Sequence, residues 1–373
     1  MTTHSEQKKL DIATIATTDL PQSTSIIAIA REQINSRCII PGSLGVWEDY
    51  FIQLCNAWEK LAPEIKPHHI IYGADNGIVK AGHIGYSADI TKLMAQTMIA
   101  GGSAATRYAR FNQIPYSVVD VGINSDKPIG INLKCQKGTD NFLEKPAMTE
   151  EAFNHVWLKA STYINTIINN GINLISFGEM GIGNTTTSAA VLSALMDVPV
   201  DATVGPGSGA DEETLAKKKE IIRQGIALHH TAMFETNTAD AITINDSSTI
   251  PNPKKVLQHV GGFDIVALTA SMLACMKART PFVIDGYITA VALVTASKID
   301  KTVLAYAIPS HLSREPGMTL ALKECEINPN NVVLHGQMAL GEGTGSVLMT
   351  QLLKTTYHAF MTMTSFEDMM HMK

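Results

Sequence analysis

"INLISFGEMGIGNTTTSAAVLSALM", residues 172–196, decides how the rest of the chain is read. A short apolar run ends at Gly178 and Glu179, a glycine-rich turn follows, and small apolar residues then run on at helical length. That is strand, glycine loop, helix. The pattern spreads in both directions from this stretch. Upstream, "HHIIYGADNG" (68–77) reads as a buried strand delivering polar groups to a loop, with a helix from about Asp89 to Phe111 and a further strand in "YSVVDVGIN" (116–124). "TEEAFNHVWLKASTYINTIINNG" (149–171) reads as a helix, with Thr149 as N-cap, acids in its first turn and Gly171 as its stop.

Downstream, a basic helix follows "GPGSGADEE" (205–213). The helix "VGGFDIVALTASMLACMKAR" leads to the strand "TPFVIDG", another helix and the strand "VLAYAI". Strands alternating with helices predict an α/β fold: a mostly parallel sheet covered by helices on both faces. Helical spacing in "STSIIAIAREQINSR", "GVWEDYFIQLCNAWEKLA" and "SVLMTQLLKTTYHAFMTM" predicts a small helical lobe made of both termini. The expected division is therefore 1–66 for the N-terminal lobe helices, 67–345 for the α/β domain and 346–373 for a helix returning to the lobe. The stretch "INLKCQKGTDNFLEKPAM" (131–148) reads as a surface connection.

The 373 residues carry a net charge of −6, and no basic stripe interleaves with aromatics, which make up only 6%. That balance disfavours nucleic acid or an anionic membrane as partner. Five scattered cysteines without a C-x-x-C pair fit reduced thiols, and the first residues lack a signal-peptide pattern, so a soluble cytoplasmic protein is expected.

Ligands of open parallel sheets sit beyond the carboxyl ends of the strands. Three loops have the composition for this: "GEMGIGNTTT" (178–187), "GPGSGADEE" (205–213) and "GEGTGS" (341–346). Glycines admit a ligand close to the backbone, and N–H groups at a helix start cradle phosphate; turns and helix caps use the same residues. No P-loop or G-x-G-x-x-G fingerprint is present. A cation for phosphate would come from Lys217, Lys218 or Lys219, which point to different helix faces, so one or two at most reach the site.

Glu179 and Glu342 each sit in a glycine loop after an apolar run. Partial desolvation raises a carboxyl pKa, which suits a general base, although a glutamate also serves to tie down loop N–H groups. Among histidines, the adjacent pairs His68–His69 and His229–His230 point two ways and make poor metal clamps. His259 reads as a helix-start residue, and His311 lies in a loop with Ser310, Ser313, Arg314 and Glu315.

Taken in order over about residues 70–350, "ADNG", "AGGSAATRYA…VVDVGI", "SFGEMGIGNTTTSAA", "GPGSGADEETLAKKK", "VGGFDIVAL", "VIDGYITAVAL", "SHLSREPG" and "LGEGTGS" resemble the nicotinate-nucleotide:dimethylbenzimidazole phosphoribosyltransferase family. That family activates the lower ligand of cobamides. The resemblance implies a Rossmann-like parallel sheet with a small helical lobe, a dimer, a catalytic base at Glu342 and a second carboxylate at Glu179. It also implies a phosphate held by Gly181, Gly183, Asn184, Thr185, Gly205, Gly207, Ser208, Lys218 and Ser313.

The segment "GHIGYSAD" (82–89) departs from the benzimidazole-type loop. Tyr86, Met94 and Met180, with Leu340, resemble the acceptor pocket of the phenol-activating branch. Pro206 and Asn76 stand where the family often has Arg and His. The implied reaction moves the phosphoribosyl group of nicotinate mononucleotide to phenol or p-cresol without a cofactor or metal, in a homodimer or a heterodimer with a homologous subunit. Alternatives are 5,6-dimethylbenzimidazole as acceptor, a non-catalytic partner subunit, and a phosphoribosyl-pyrophosphate enzyme. The last is disfavoured because Asp285 in "FVIDGYITA" is followed by glycine instead of a second acid.

Overall fold

The computed structural model describes residues 23–82, 87, 89–205, 207, 211–236 and 249–372. Its strands are β1 (Pro67–Ala74), β2 (Tyr116–Gly122), β3 (Ile131–Asn132), β4 (Leu174–Met180), β5 (Phe234–Thr236), β6 (Thr249–Pro251), β7 (Phe282–Ile284) and β8 (Ala307–Pro309). Six form one sheet in the order β3-β2-β1-β4-β7-β8, with every neighbouring pair parallel. β5 and β6 pair as a separate two-stranded antiparallel sheet.

The helices in the first half are α1 (Ser23–Asn35), α2 (Val46–Trp58), α3 (Asp89–Ile99), α4 (Ala104–Phe111), α5 (Glu150–Asn169) and α6 (Asn184–Met196). The second half has α7 (Glu212–Met233), α8 (Pro253–Val260), α9 (Phe263–Lys277), α10 (Tyr287–Ile299), α11 (Pro316–Glu324), α12 (Thr344–Thr362) and α13 (Phe366–His371). Among the described residues no helix is long and apolar enough to cross a membrane.

Successive strand residues point to opposite faces, and the cores follow that alternation. Ile70, Tyr72, Ile175, Phe177, Phe282 and Ile284 enter one large core, against α5, α6, α9 and α10. Leu174, Val283 and Ile308 face the other way and join Ile26, Phe51, Leu54, Leu353, Tyr357 and Phe360 of α1, α2 and α12. Ile71 and Val118 meet α3 in a smaller third core. Residues 263–276 of α9 are buried all round, so this helix needs no polar face.

Several expectations change. The helix expected over 89–111 is two helices, because Gly101 adopts φ +76° and Ser103 caps α4 by accepting the Thr106 N–H. Segment 131–148 is not a surface connection. Ile131 and Asn132 add an edge strand on β2, Phe142, Ala147 and Met148 are buried, and the Ala147 N–H donates to the His259 carbonyl. By contrast α5 begins at its Thr149 cap, whose hydroxyl accepts the Ala152 N–H, and Gly171 takes φ +90° just beyond its end.

Candidate active site

The chain runs outward from β1 to β2 and β3, then returns to place β4 on the other side of β1. Loops leaving β1 and β4 therefore diverge at their carboxyl ends and leave a crevice there. Two close approaches shape it. A Cβ on Gly181 would lie 2.3 Å from the Ala74 carbonyl oxygen, so only glycine lets the two loops touch. The Asn76 side-chain amide then donates to the Ile182 carbonyl at 3.2 Å.

Glu179 stands at the end of β4, opposite Tyr72. It is 6% exposed, and the Asn184 amide at the start of α6 donates to its Oε2. Burial pushes its carboxyl up to about 8, helped by the negative charges of Asp264 and Asp285 and opposed by the Asn184 hydrogen bond. Asp264 is fully buried in the first turn of α9, and burial raises it to about 6. Its Oδ1 accepts the Ile265 N–H, and its Oδ2 lies 3.4 Å from where a Gly181 Cβ would stand.

Glu342 reaches the same crevice from the turn before α12. Gly341, Glu342 and Gly343 take φ values of +80°, +63° and +86° in succession. Two glycines accept that hand freely; a glutamate there costs on the order of 1 kcal/mol, which packing must offset. Gly178 makes room, since a Cβ on it would meet the Glu342 carbonyl oxygen at 2.3 Å. The Glu342 Oε2 accepts the Ala105 N–H at 3.3 Å, at the start of α4. Burial raises the Glu342 carboxyl, and the Ala105 and Ser103 hydrogen bonds partly counter it.

A cation lies at the other end. Lys218 of α7 is 4% exposed, and its Nζ donates to Thr185 Oγ1 and the Gly205 carbonyl, each at 3.0 Å. Burial lowers its pKa to about 8, against the pull of Glu315. Glu315 Oε1 in turn accepts the Gly207 N–H at 2.9 Å. Lysine, the α6 N-terminus at Gly183–Thr185 and the backbone of Gly205 and Gly207 thus converge on one spot suited to an anion. Lys217 instead donates to the Gly82 carbonyl, and Lys219 pairs with Asp201. Ser313 lies half-buried beside Gly286, its Oγ accepting the Glu315 N–H.

Of the residues expected at the acceptor, Met94 and Met180 are partly buried against the third core. Leu340 does not join them and is 60% exposed. Tyr86, Pro206 and Ser208 lie outside the described residues.

The histidines sort differently from their reading in sequence. His259 does not start a helix; it closes α8, buried against His229 with their Nδ1 atoms 3.3 Å apart. His229 also contacts the Phe142 carbonyl at 2.8 Å, while His230 stacks on Phe234. His311 is buried, its Nδ1 3.1 Å from the Ser310 hydroxyl and 3.7 Å from Asp285 Oδ1. Asp264 went unremarked in sequence, though an acid opening an otherwise apolar helix was a readable signal. Among the described residues, no three or more His, Cys, Asp or Glu side chains group so as to hold a metal ion.

Known proteins resemble the chain along most of its length. A family model described as "DBI_PRT: Phosphoribosyltransferase" matches residues 21–370. A nicotinate-nucleotide–dimethylbenzimidazole phosphoribosyltransferase of Clostridium acetobutylicum is 36% identical over 331 residues, 88% of each chain. One from Aromatoleum aromaticum is 29% identical over 92% of this chain and 95% of its own. The crystal structure of CobT from Thermus thermophilus superposes with a TM-score of 0.81 at 29% identity, covering 92% of this chain and 98% of that one.

Proposed function

The chain belongs to the nicotinate-nucleotide–dimethylbenzimidazole phosphoribosyltransferase family, and from that premise we propose that it transfers the phosphoribosyl group of nicotinate mononucleotide to a phenolic acceptor, phenol or p-cresol. The products are nicotinate and an α-ribosyl 5′-phosphate for cobamide lower-ligand activation. The observation that carries this reading is the convergence of Glu342 and Glu179 on one crevice whose far end holds the buried Lys218, bonded to Thr185.

The nucleotide's phosphate sits at the α6 N-terminus, against Lys218 and the backbone of Gly205 and Gly207, with Ser313 as a further donor. Its ribose then lies over Glu179. Burial keeps the Glu179 carboxyl protonated at neutral pH, so it acts there as a hydrogen-bonding group and not as the base. The nicotinate nitrogen is already cationic in the substrate and departs without a proton, leaving positive charge on the ribose C1′ and ring oxygen. Nearby buried acids favour that charge.

A phenol has a pKa of about 10, so little of it is ionised at pH 7. Glu342 takes its proton as the oxygen attacks C1′ from the face opposite nicotinate, which turns the β linkage into α. The new C–O bond forms as the C–N bond breaks, and the glycosidic electron pair leaves on nicotinate. Holding both reactants in one crevice supplies much of the remaining acceleration. The reaction so written needs no metal or cofactor. The active assembly is a homodimer, or a heterodimer with a homologous subunit.

Met94 and Met180 support the phenolic acceptor: thioethers pack against aromatic rings and offer no strong partner to a second ring nitrogen. The names of the relatives favour 5,6-dimethylbenzimidazole instead. A competition decides between them. Purified protein, with and without a homologous partner, receives nicotinate mononucleotide with equimolar phenol, p-cresol and dimethylbenzimidazole, and the products are weighed by mass spectrometry. Dominance of the benzimidazole product refutes the phenolic reading. Near-normal turnover by Glu342→Gln refutes the base assignment.

A further inference from the structure

We propose that His69 and Asp285 are positioning residues that grip the two ends of the 342–343 peptide and so aim the Glu342 carboxylate. Both side chains are buried, at 0% and 2% exposure. His69 Nε2 lies 3.2 Å from the Glu342 carbonyl oxygen, and Asp285 Oδ2 accepts the Gly343 N–H at 3.3 Å. The carbonyl and the N–H belong to one planar peptide unit. Holding both ends sets the rotation of that plane, and with it the ψ of Glu342 and the φ of Gly343.

The identities of the atoms follow from what each one faces. A carbonyl can only accept, so His69 Nε2 carries the ring proton. Nδ1 is then the acceptor for the Ser176 hydroxyl, 2.9 Å away. Burial lowers the His69 pKa to about 4, so the ring stays neutral and keeps this tautomer across the working pH range. Asp285 uses its other oxygen to accept the N–H groups of Gly345 at 2.7 Å and Ser346 at 3.0 Å. Those are orphan donors of the α12 N-terminus, so one carboxylate caps the helix and fixes the turn before it. Ser310 holds Asp285 in place by donating to its backbone carbonyl at 3.0 Å.

The fit is close. A Cβ on Gly343 would lie 2.1 Å from His69 Cε1, and one on Gly345 2.1 Å from His311 Nδ1. A turn with three successive left-handed residues, one of them glutamate, is unfavourable by itself. It persists because His69 of β1, Asp285 just past β7 and His311 just past β8 each hold or brace it.

The inference rests on Glu342 being the base, and the test separates the two. The kinetics of Asp285→Asn, His69→Phe, His69→Gln and Glu342→Gln are compared across pH, with melting temperatures alongside. Glutamine at 69 can still donate to the Glu342 carbonyl; phenylalanine cannot. Asp285→Asn and His69→Phe are expected to lower kcat tenfold or more, with KM for nicotinate mononucleotide within twofold of the parent, and His69→Gln to recover most of the loss. The titratable groups facing Glu342 are Asp285, Glu179 and His69, with His311 behind Asp285. Asp285→Asn removes a like charge that disfavours ionised Glu342, so the acid limb of kcat moves to lower pH. A kcat within twofold of the parent in both Asp285→Asn and His69→Phe, failure of His69→Gln to recover activity, or an unmoved acid limb overturns the proposal. Retained turnover in Glu342→Gln overturns the base assignment itself.

Discussion

Replacing Glu179 by glutamine should stabilise the protein in alkali. Glu179 is a buried carboxyl raised from 4.5 to about 8, chiefly by desolvation. Below pH 4.5 the folded and unfolded chains both carry its proton, and the group costs nothing. Between 4.5 and about 8 the folded state binds the proton more tightly, so stability falls as pH rises. Above about 8 the penalty is complete. At ~1.36 kcal/mol for each pH unit it reaches roughly 5 kcal/mol as an upper bound. Water entry and side-chain relaxation reduce this, and about 2 kcal/mol should be measured.

Glutamine keeps the shape and can still pair with the Asn184 amide, yet never ionises. Urea denaturation of both proteins at pH 5, 7 and 9 reads the difference directly. The glutamine variant should match the parent at pH 5 and exceed it progressively by pH 9. Neighbouring acids titrate in both proteins and largely cancel in the comparison. An equal stability difference at pH 5 and pH 9 would show that Glu179 is not held neutral, and the role given to it over the ribose would fall with it.

Lys218→Ala removes the buried cation at the α6 N-terminus; KM for nicotinate mononucleotide should rise ten- to hundredfold with a smaller change in kcat, read by steady-state kinetics. An unchanged KM would place the phosphate elsewhere. Gly178→Ala drives a methyl into the Glu342 carbonyl oxygen, a backbone atom that cannot swing aside. A loss of about 1–3 kcal/mol in stability and most of kcat is expected, and wild-type behaviour would contradict the packing. Burial raises the Glu342 carboxyl, so activity lost by protonating it should fade on acidification at a pH above 4.5. A kcat/KM profile flat down to pH 4 would refute that. Met94→Gln adds a polar partner beside the acceptor and should shift the product ratio toward dimethylbenzimidazole, measured in the same competition; an unchanged ratio would place the acceptor away from Met94.

The α/β layout was legible because its signals are local. Residues 172–196 announce strand, turn and helix through apolar runs and glycines a few positions apart, and β4 and α6 lie where that pattern puts them. The Thr149 cap of α5 was legible for the same reason. Glu342 stood out as a charge between glycines, whereas Lys218 was one of three adjacent lysines that the sequence left open. β3 did not, because two residues carry no periodicity and pair with β2 only after the chain has folded back. The break at Gly101–Ser103 was hidden by apolar spacing that continues across it.

What the amino-acid order determined alone is therefore the alternation of elements and the chemistry stationed in their loops, since propensity and glycine placement act over a turn or two. Tertiary structure decided which of those groups meet. The Gly343 N–H reaches Asp285 across 58 positions, and the Glu342 carbonyl reaches His69 across 273. No local rule joins such partners; the parallel register of β1, β4 and β7 does, by setting His69, Gly178 and Asp285 beside the turn before α12. Burial at that turn then makes each hydrogen bond obligatory, because a buried polar group without a partner costs more than the bond itself contributes.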